Sequence, residues 1–282
     1  MSNGMDGRVC LVTGATSGIG RATALELSRR GATVHLVARD RARGEAALAE
    51  VARAGGGRAR LHLADLSSMA AVRALAEEVR ATAPALHVLV NNAGAVEMER
   101  RVSPDGLEMT FAVNHLAYFL LTHLLLDLLR SSAPARVVNV ASTAHRGKTL
   151  DFGDLQNTRR YAGLRVYGQS KLANILFTRE LARRLEGSGV TANSLHPGVV
   201  ATGFGRSSGG WMGFGVRLIA PLLLRPEQGA ETTLYLACSP EVEGVSGQYF
   251  ERCRPVRPSP AARDDAAARR LWEESARLVG LS

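Results

Sequence analysis

Short apolar, β-branched runs alternate along this chain with longer segments rich in Ala, Leu and Arg, and this alternation constrains its fold most. The runs that read as strands are Arg8–Thr13, Thr33–Ala38, Arg58–Leu63, Leu86–Val90, Arg136–Ala141, Val190–Leu195 and a short seventh at Gln248–Phe250. Strands separated by helices of this length imply right-handed crossovers and a parallel sheet covered on both faces. The sequence therefore predicts an α/β fold: one doubly wound domain over residues 1–282, with a parallel sheet of about seven strands.

The segments between these runs have helical periodicity. They are Gly20–Arg30, Gly44–Arg53, a helix capped by Ser67 or Ser68 that ends at Thr82, Leu116–Arg130 and Tyr167–Glu186. Leu116–Arg130 is apolar nearly all round, so a sheet on one side cannot account for all of it. We expect its outer face to meet a second subunit in a homodimer; the alternative is cover by the protein's own loops.

The charge balance favours anionic partners. The chain has 35 Lys and Arg against 26 Asp and Glu, a formal net charge of +9, which suits nucleotide cofactors, membrane surfaces or nucleic acid. The arginine-rich C-terminal segment carries no motif that reads nucleic acid, so we expect no nucleic-acid partner.

Cysteine usage and hydropathy bear on location. Cys10, Cys238 and Cys253 are scattered, without a CxxC pair, and the histidines lack metal-ligand spacing. We therefore expect reduced thiols and no metal site. Residues 1–6 lack the features of a signal peptide, and the most apolar stretch, Leu116–Leu129, is only 14 residues, too short to cross a bilayer. These features predict a cytoplasmic protein without a stable membrane anchor.

A glycine-rich turn joins the first predicted strand to the first predicted helix. Gly14, Gly18 and Gly20 lie in the run Thr13-Gly-Ala-Thr-Ser-Gly-Ile-Gly20. Glycine lets the backbone turn sharply and approach a pyrophosphate, and a helix N-terminus offers free N–H groups to it. In this βαβ context the turn predicts a dinucleotide site of the Rossmann type.

The end of the second strand bears on which dinucleotide binds. A carboxylate at this point grips the ribose 2′-OH of NAD, whereas an arginine accommodates the 2′-phosphate of NADP. This chain has Arg39 there, followed by Asp40 and Arg41, which predicts NADP(H). Asp40 leaves NAD as the alternative.

Tyr167 and Lys171 are four residues apart at the start of a predicted helix, so their side chains share one face. A nearby ammonium favours the phenolate and lowers the pKa of a tyrosine, which yields an acid/base group for neutral pH. Ser142 follows the fifth strand, at the sheet edge where ligands bind. Lys171 is also one of only two lysines among 35 basic residues, which hints at a chemical role for an amine.

Together these motifs resemble the short-chain dehydrogenase/reductase family over essentially the whole chain. They are Thr13-Gly-x-x-x-Gly-Ile-Gly20, Asn91-Asn-Ala-Gly94, Asn114, Ser142, Tyr167-x-x-x-Lys171 and Pro197-Gly198. The segments Val138–His145, Gln169–Asn174 and Leu195–Val200 are similar to the branch of retinol dehydrogenases and WW-domain oxidoreductases. Retinol dehydrogenases of that branch usually carry an N-terminal membrane anchor, so retinol as the substrate stays open.

The resemblance implies roles for the site residues. Tyr167 would be the general acid in carbonyl reduction and the general base in alcohol oxidation. Lys171 would lower the pKa of Tyr167 and bind the nicotinamide ribose, Ser142 would hydrogen-bond the substrate oxygen, and Asn114 would hold a water of a proton relay. The implied cofactor contacts are Gly14, Ser17, Gly18, Ile19, Gly20, Arg39, Asp65, Leu66, Asn92, Ala93, Gly94, Tyr167, Lys171, Pro197, Gly198, Val200 and Thr202.

The segment 203–226 combines glycines with large apolar side chains, among them Phe204 and Trp211. Its place after the sixth strand suits a lid over an apolar substrate. An ordinary core segment or a transient membrane contact are the alternatives.

We therefore expect an NADP(H)-dependent oxidoreductase acting on a lipophilic alcohol and its aldehyde or ketone. The alternatives are a non-catalytic NADP-binding sensor or interaction protein of the same fold, and an epimerase or dehydratase of nucleotide sugars.

Overall fold

A single sheet of eight strands organises the part of the chain that the structure describes. The computed structural model describes residues 4–56, 58–198 and 224–281. The strands are β1 (Val9–Thr13), β2 (Thr33–Ala38), β3 (Ala59–Leu63), β4 (Val88–Asn91), β5 (Ala135–Val140), β6 (Val190–His196), β7 (Tyr249–Glu251) and β8 (Arg254–Pro255). Their order is β3-β2-β1-β4-β5-β6-β7-β8. All pairings are parallel except that of β7 with β8.

Helices cover both faces of the sheet, each over its own apolar core. They are α1 (Gly18–Arg29), α2 (Arg41–Ala54), α3 (Met69–Thr82), α4 (Met109–Phe111), α5 (Ala117–Ser131), α6 (Gly163–Arg184), α7 (Pro226–Cys238) and α8 (Asp265–Leu278), and the π-helical turn Ala112–Leu116 joins α4 to α5. One core lies under α3, α5, α6 and α8, and the other lies under α1, α2 and α7. The doubly wound α/β fold predicted from the sequence is therefore confirmed.

The predicted strands are found to within about two residues of their observed ends, but the sheet has one strand more than expected. β8 is only two residues long and pairs antiparallel with β7. The turn between them places Arg252 and Cys253 at φ values of 50° and 59°. Since neither is glycine or asparagine, the sequence carries no ordinary signal for this turn.

The first residues of α3 match their predicted cap. Ser68 precedes the helix, and its side-chain oxygen accepts a hydrogen bond from the backbone N–H of Ala71. The cap satisfies one of the free amides at the helix N-terminus.

The apolar helix near residue 120 is longer than its sequence pattern indicated. A helical stretch runs from Met109 to Ser131, 23 residues with a mean hydropathy of 1.4. The length argument against a membrane span is therefore wrong for this segment, because α4 and the π-helical turn extend it toward the N-terminus. Of its most apolar window, 67% is buried inside the fold, which is typical of a core helix.

The chain's own C-terminal helix packs on the outer side of α5 and α6. The Trp272 ring of α8 lies 4.9 Å from the ring of Phe119 and 5.9 Å from that of Phe177. The Arg184 guanidinium stacks 4.4 Å from the Trp272 ring. Cover by the chain itself therefore explains part of the apolar face of α5, and a homodimer through the remainder stays a prediction.

Candidate active site

A cleft of about 780 Å³ opens at the carboxyl ends of the central strands. The residues predicted from the sequence that line it are Gly14, Ser17, Gly18, Ile19, Gly20, Arg39, Asp65, Leu66, Asn92, Ala93, Gly94, Ser142, Tyr167, Lys171, Pro197 and Gly198. Val200, Thr202 and most of the predicted lid, residues 203–223, lie outside the described residues. A second cavity of about 760 Å³, lined by Arg8 and Arg136 among others, contains none of these residues.

The glycine-rich turn lies directly against the loop that follows β4. Gly14 has a φ of 66°, and a Cβ there would lie 2.9 Å from the Cα of Ala93. A Cβ on Gly20 would collide with the carbonyl oxygen of Gly14. The Thr13 hydroxyl accepts hydrogen bonds from the backbone N–H groups of Asn92 and Ala93, at 2.8 and 3.0 Å. Close approach of two backbones explains why glycine is needed at these positions.

The N-terminus of α1 is built to receive an anion. Ser17 precedes the helix, and its side chain makes no capping hydrogen bond within the described residues. The first amides of α1 therefore face the cleft without a side-chain acceptor, next to the glycine turn. A helix start of this kind binds the pyrophosphate of a dinucleotide. The residues present thus fit a dinucleotide cofactor.

Asp40, the residue that kept NAD as an alternative cofactor in the sequence, caps a helix. Its Oδ1 accepts a hydrogen bond of 2.8 Å from the backbone N–H of Arg43, at the start of α2. Arg39, Asp40 and Arg43 all line the cleft, and all three are exposed. One carboxylate oxygen of Asp40 is therefore already engaged, whereas two guanidinium groups lie at the same end of the cleft.

Tyr167, Ser142 and Lys171 meet at the other end of the cleft. A hydrogen bond joins Ser142 to Tyr167. The Nζ of Lys171 donates to the carbonyl oxygen of Val140 at 3.0 Å, and it lies 5.6 Å from the centre of the Tyr167 ring. The structure therefore brings together the three groups that the sequence placed at this edge.

Burial governs the ionisation of this cluster. Burial raises the pKa of Tyr167, and the hydrogen bond with Ser142 lowers it in part. Burial also lowers the pKa of Lys171 to about 7, because a charged amine loses its hydration. The spacing of Tyr167 and Lys171 predicted that the ammonium lowers the pKa of the phenol, whereas burial raises that pKa in the structure.

Asn114 lies behind the cleft wall. It is fully buried in the π-helical turn, and its side chain pairs with both backbone groups of Ala95, at 2.7 Å to the N–H and 2.9 Å to the carbonyl. Its Nδ2 also donates to the Ser170 hydroxyl at 3.0 Å. A Cβ on Gly94 would lie 3.3 Å from Asn114 Oδ1 and 3.7 Å from Lys171 Nζ. Asn114 and Lys171 therefore both lie beside this glycine, and Asn114 stands in a π-turn of the kind often found at functional sites.

Two histidines near the turn that carries Ser142 have different positions. His196 lines the cleft. His145 is buried beneath it, where its Nδ1 donates to the Ser142 carbonyl at 2.7 Å and its Nε2 accepts from the Ser259 N–H at 3.2 Å. His145 therefore supports the turn that carries Ser142.

Sequence reasoning missed several residues of the site. Tyr118 lies behind the lysine, with its ring 5.8 Å from Lys171 Nζ and its hydroxyl donating to Ala93 O at 2.7 Å. Glu97, Met109 and Val113 line the cleft. Tyr118 stands in a long apolar helix, where an aromatic residue reads as core, so only its hydroxyl could have suggested a polar contact.

Fold and cleft define a dinucleotide-binding oxidoreductase. Residues 8–212 match the short chain dehydrogenase family. The chain is 46% identical to retinol dehydrogenase 14 of Mus musculus, over 98% of this chain and 87% of the relative. It is 45% identical to retinol dehydrogenase 13 of Homo sapiens, over 98% and 85%. The chain therefore belongs to the short-chain dehydrogenase/reductase family, in its retinol dehydrogenase branch.

Solved structures agree with this assignment. An uncharacterized protein from Mycobacterium Paratuberculosis has a TM-score of 0.80 and 35% identity, covering 98% of this chain and 94% of that one. The Pseudomonas aeruginosa RhlG/NADP complex has a TM-score of 0.72 and 28% identity, over 93% and 98%. The 3-ketoacyl-(acyl-carrier-protein) reductase of Brucella melitensis, complexed with NADH, has 0.69 and 27%, over 88% and 97%. The fold therefore binds a nicotinamide cofactor, either NAD or NADP.

Proposed function

We propose that this protein is an NADP(H)-dependent oxidoreductase that interconverts a lipophilic alcohol and its aldehyde or ketone, with Tyr167 as general acid and base. The observation that carries this proposal is the hydrogen-bonded pair of Tyr167 and Ser142 beside buried Lys171, inside a cleft that fits a dinucleotide. A bound nicotinamide supplies or accepts the hydride in such a reaction.

The side chains of the cleft supply the proton and the hydrogen bonds. In reduction, the Tyr167 hydroxyl gives its proton to the substrate oxygen, and the Ser142 hydroxyl donates a hydrogen bond to the same oxygen as negative charge develops there. Burial keeps the pKa of Tyr167 above its ordinary value, so the phenol holds this proton at neutral pH. In alcohol oxidation, the phenolate takes the proton back. Lys171 sits beside Tyr167 to bind the ribose hydroxyls and to replenish the proton.

The charges at the adenosine end support NADP(H) over NAD(H). The guanidinium groups of Arg39 and Arg43 line this end, and a guanidinium binds a phosphate through paired, charge-assisted hydrogen bonds. Asp40, which would have to grip a 2′-OH, holds the Arg43 N–H instead.

Apolar side chains beside the cleft support a lipophilic substrate. Leu164 is 63% exposed and Met98 is 38% exposed. Leu164 stands three residues before Tyr167 on α6, so both lie on one face of the helix. The first residue of α6 packs against the segment that carries Met98, since a Cβ on Gly163 would lie 2.7 Å from Met98 Cα. Exposed apolar residues this close to a site commonly contact a ligand.

NADPH consumption with a panel of apolar aldehydes, ketones and retinoids tests the proposal, with NADH as the comparison. Tyr167→Phe removes the acidic hydroxyl and should reduce kcat at least about 100-fold. Tyr235→Phe is the matched control, because its hydroxyl bonds Glu241 on the exposed surface and its loss should leave kcat unchanged. Unchanged activity in Tyr167→Phe would contradict the role of Tyr167, and no NADPH or NADH consumption by the wild type with any substrate would support the non-catalytic sensor.

We also propose that the protein acts in the cytoplasm with reduced thiols. Burial raises the pKa of Cys10 far above its ordinary value, which keeps that thiol protonated and unreactive. Cell fractionation with an alkaline carbonate wash tests the location: recovery in the washed membrane pellet would contradict it.

A further inference from the structure

A buried carbonyl oxygen behind the cleft serves two side chains of α6. The carbonyl of Val140 accepts a hydrogen bond of 3.0 Å from Lys171 Nζ. It also accepts one of 3.3 Å from the side-chain amide Nδ2 of Asn174. Lys171 is 3% exposed and Asn174 is fully buried. Because a carbonyl oxygen has two lone pairs, Asn174 shares with the ammonium the acceptor that holds it in place.

We propose that Asn174 is a positioning residue for Lys171, which sets through the Val140 carbonyl how firmly the ammonium is held. The inference rests on the proposed function, in which Lys171 assists Tyr167. Asn174 does not line the cleft, so it acts through the lysine.

The other groups facing the lysine are tyrosines. The rings of Tyr118 and Tyr167 lie 5.8 and 5.6 Å from Lys171 Nζ. Burial raises the pKa of both tyrosines, so both are neutral near the pH at which Lys171 titrates. A change in the titration of Lys171 therefore reports its hydrogen bonds.

The titration of Lys171 can be followed by NMR because the chain has few lysines. Only Lys148 and Lys171 are lysines, so protein labelled with ¹⁵N and ¹³C in lysine gives two side-chain signals. Lys148→Arg assigns them. In Asn174→Leu, the Val140 carbonyl is left to the ammonium alone, so the titration midpoint of Lys171 should rise by about half a pH unit. Thr178→Val is the control: it removes a buried hydroxyl that bonds Asn139 one turn along α6, and it should leave the midpoint unchanged.

A second substitution at Asn174 covers a failure of the first variant to fold. Asn174→Ala removes the same side-chain amide and should raise the midpoint as Asn174→Leu does.

The outcomes separate this inference from the proposed function. The titration needs neither substrate nor turnover, so an inactive wild-type protein would end the proposed function and leave this test intact. In an active protein, the pH profile of kcat/KM should move with the midpoint. If the midpoint is the same in Asn174→Leu, Thr178→Val and wild type while their melting temperatures fall, these residues are structural only and the proposal is wrong. Should Asn174→Leu fail to fold, Asn174→Ala against Thr178→Val still decides.

Discussion

The ammonium of Lys171 lies 5.6 Å from the centre of the Tyr167 ring, and its hydrogen bond goes to the backbone carbonyl of Val140. The lysine is thus fixed by the sheet, beside the tyrosine. A spacing of four residues on a helix brings the two side chains close together, but the carbonyl that holds the amine comes from the end of β5. The relationship between the two side chains therefore depends on how α6 sits on the sheet.

Replacing Lys171 by arginine should lower kcat/KM at least about 100-fold, since a planar and permanently charged group replaces a compact amine in a fully buried space. The pKa of Lys171 is lowered to about 7 by burial, whereas an arginine stays charged at every working pH. The measurement is NADPH-dependent reduction of the best aldehyde or ketone from the panel.

Lys148→Arg is the matched control for this change. It makes the same exchange at the other lysine of the chain and should keep kcat/KM within about twofold of wild type, because Lys148 does not line the cleft. Equal losses in the two variants would show that the chain is sensitive to the exchange itself and would contradict a special role for Lys171.

Arg39→Ala should weaken the preference for NADPH. Loss of a charge-assisted hydrogen bond to a phosphate is worth about 1.5–3 kcal/mol, so KM for NADPH should rise roughly 10- to 100-fold while KM for NADH changes little. Steady-state kinetics with both cofactors measure the two values.

Asp40→Ala tests whether Asp40 only caps α2 or also selects the cofactor. It removes the cap of α2, which should cost about 1 kcal/mol of stability and leave the ratio of the two KM values nearly unchanged. If Asp40→Ala instead raises KM for NADH alone, Asp40 binds the ribose and the assignment to NADP(H) is wrong.

Leu164→Asp should discriminate between substrates by their apolar length. Leu164 is 63% exposed one turn before Tyr167, and a carboxylate there removes apolar contact with a long chain. The kcat/KM of a long-chain aldehyde should fall about tenfold relative to that of a short one, given roughly 0.8 kcal/mol for each buried CH₂.

The control for Leu164 is Val102→Asp. Val102 is 51% exposed and does not line the cleft, so its substitution should leave the ratio of long- to short-chain kcat/KM unchanged. Parallel loss of activity on both substrates in Leu164→Asp would place Leu164 outside the substrate path.

The fold followed from patterns that are local in the sequence. Buried strands appear as continuous apolar runs, and α3 begins where Ser68 caps it, because one side chain and one N–H decide that boundary. β8 has no such pattern: it is two exposed residues, fixed only by pairing with β7. The early start of the helix at Met109 depends on buried Glu108, whose carboxylate accepts from the N–H groups of Thr110 and Phe111.

The site was predictable where motifs carry it and unpredictable where packing does. Ser142, Tyr167 and Lys171 were placed together because strand ends share one sheet edge. Tyr118, by contrast, read as a core residue, and the sequence did not show the role of His145. The hydroxyl of Tyr118 reaches the Ala93 carbonyl and the ring of His145 reaches the Ser142 carbonyl. Such partners are distant in sequence or set by a turn, so no spacing reveals them.

A buried pair of histidines away from the cleft should make the fold sensitive to acid. His35 Nδ1 lies 2.8 Å from His62 Nε2, and His62 Nδ1 lies 2.9 Å from Glu78 Oε1. Burial lowers the pKa of His35 to about 4, helped by repulsion from His62 and Arg60. Unfolded histidine titrates near 6.5. The unfolded chain therefore binds the proton first, and the stability that neutral His35 provides is present above pH 6.5 and lost as the pH falls toward 4.

The expected loss of unfolding free energy between pH 6.5 and pH 4 is up to about 3 kcal/mol from this residue. Urea unfolding at a series of pH values measures it. His35→Leu keeps an apolar side chain in the buried position and removes the titrating group, so its stability should fall less steeply over this range. His115, whose pKa burial lowers to about 3, still titrates in both proteins. It contributes to the acid sensitivity that remains, together with other histidines whose pKa burial lowers, among them His62, His145 and His196. Identical slopes in His35→Leu and wild type would show that His35 already binds its proton in the folded state near pH 6.5.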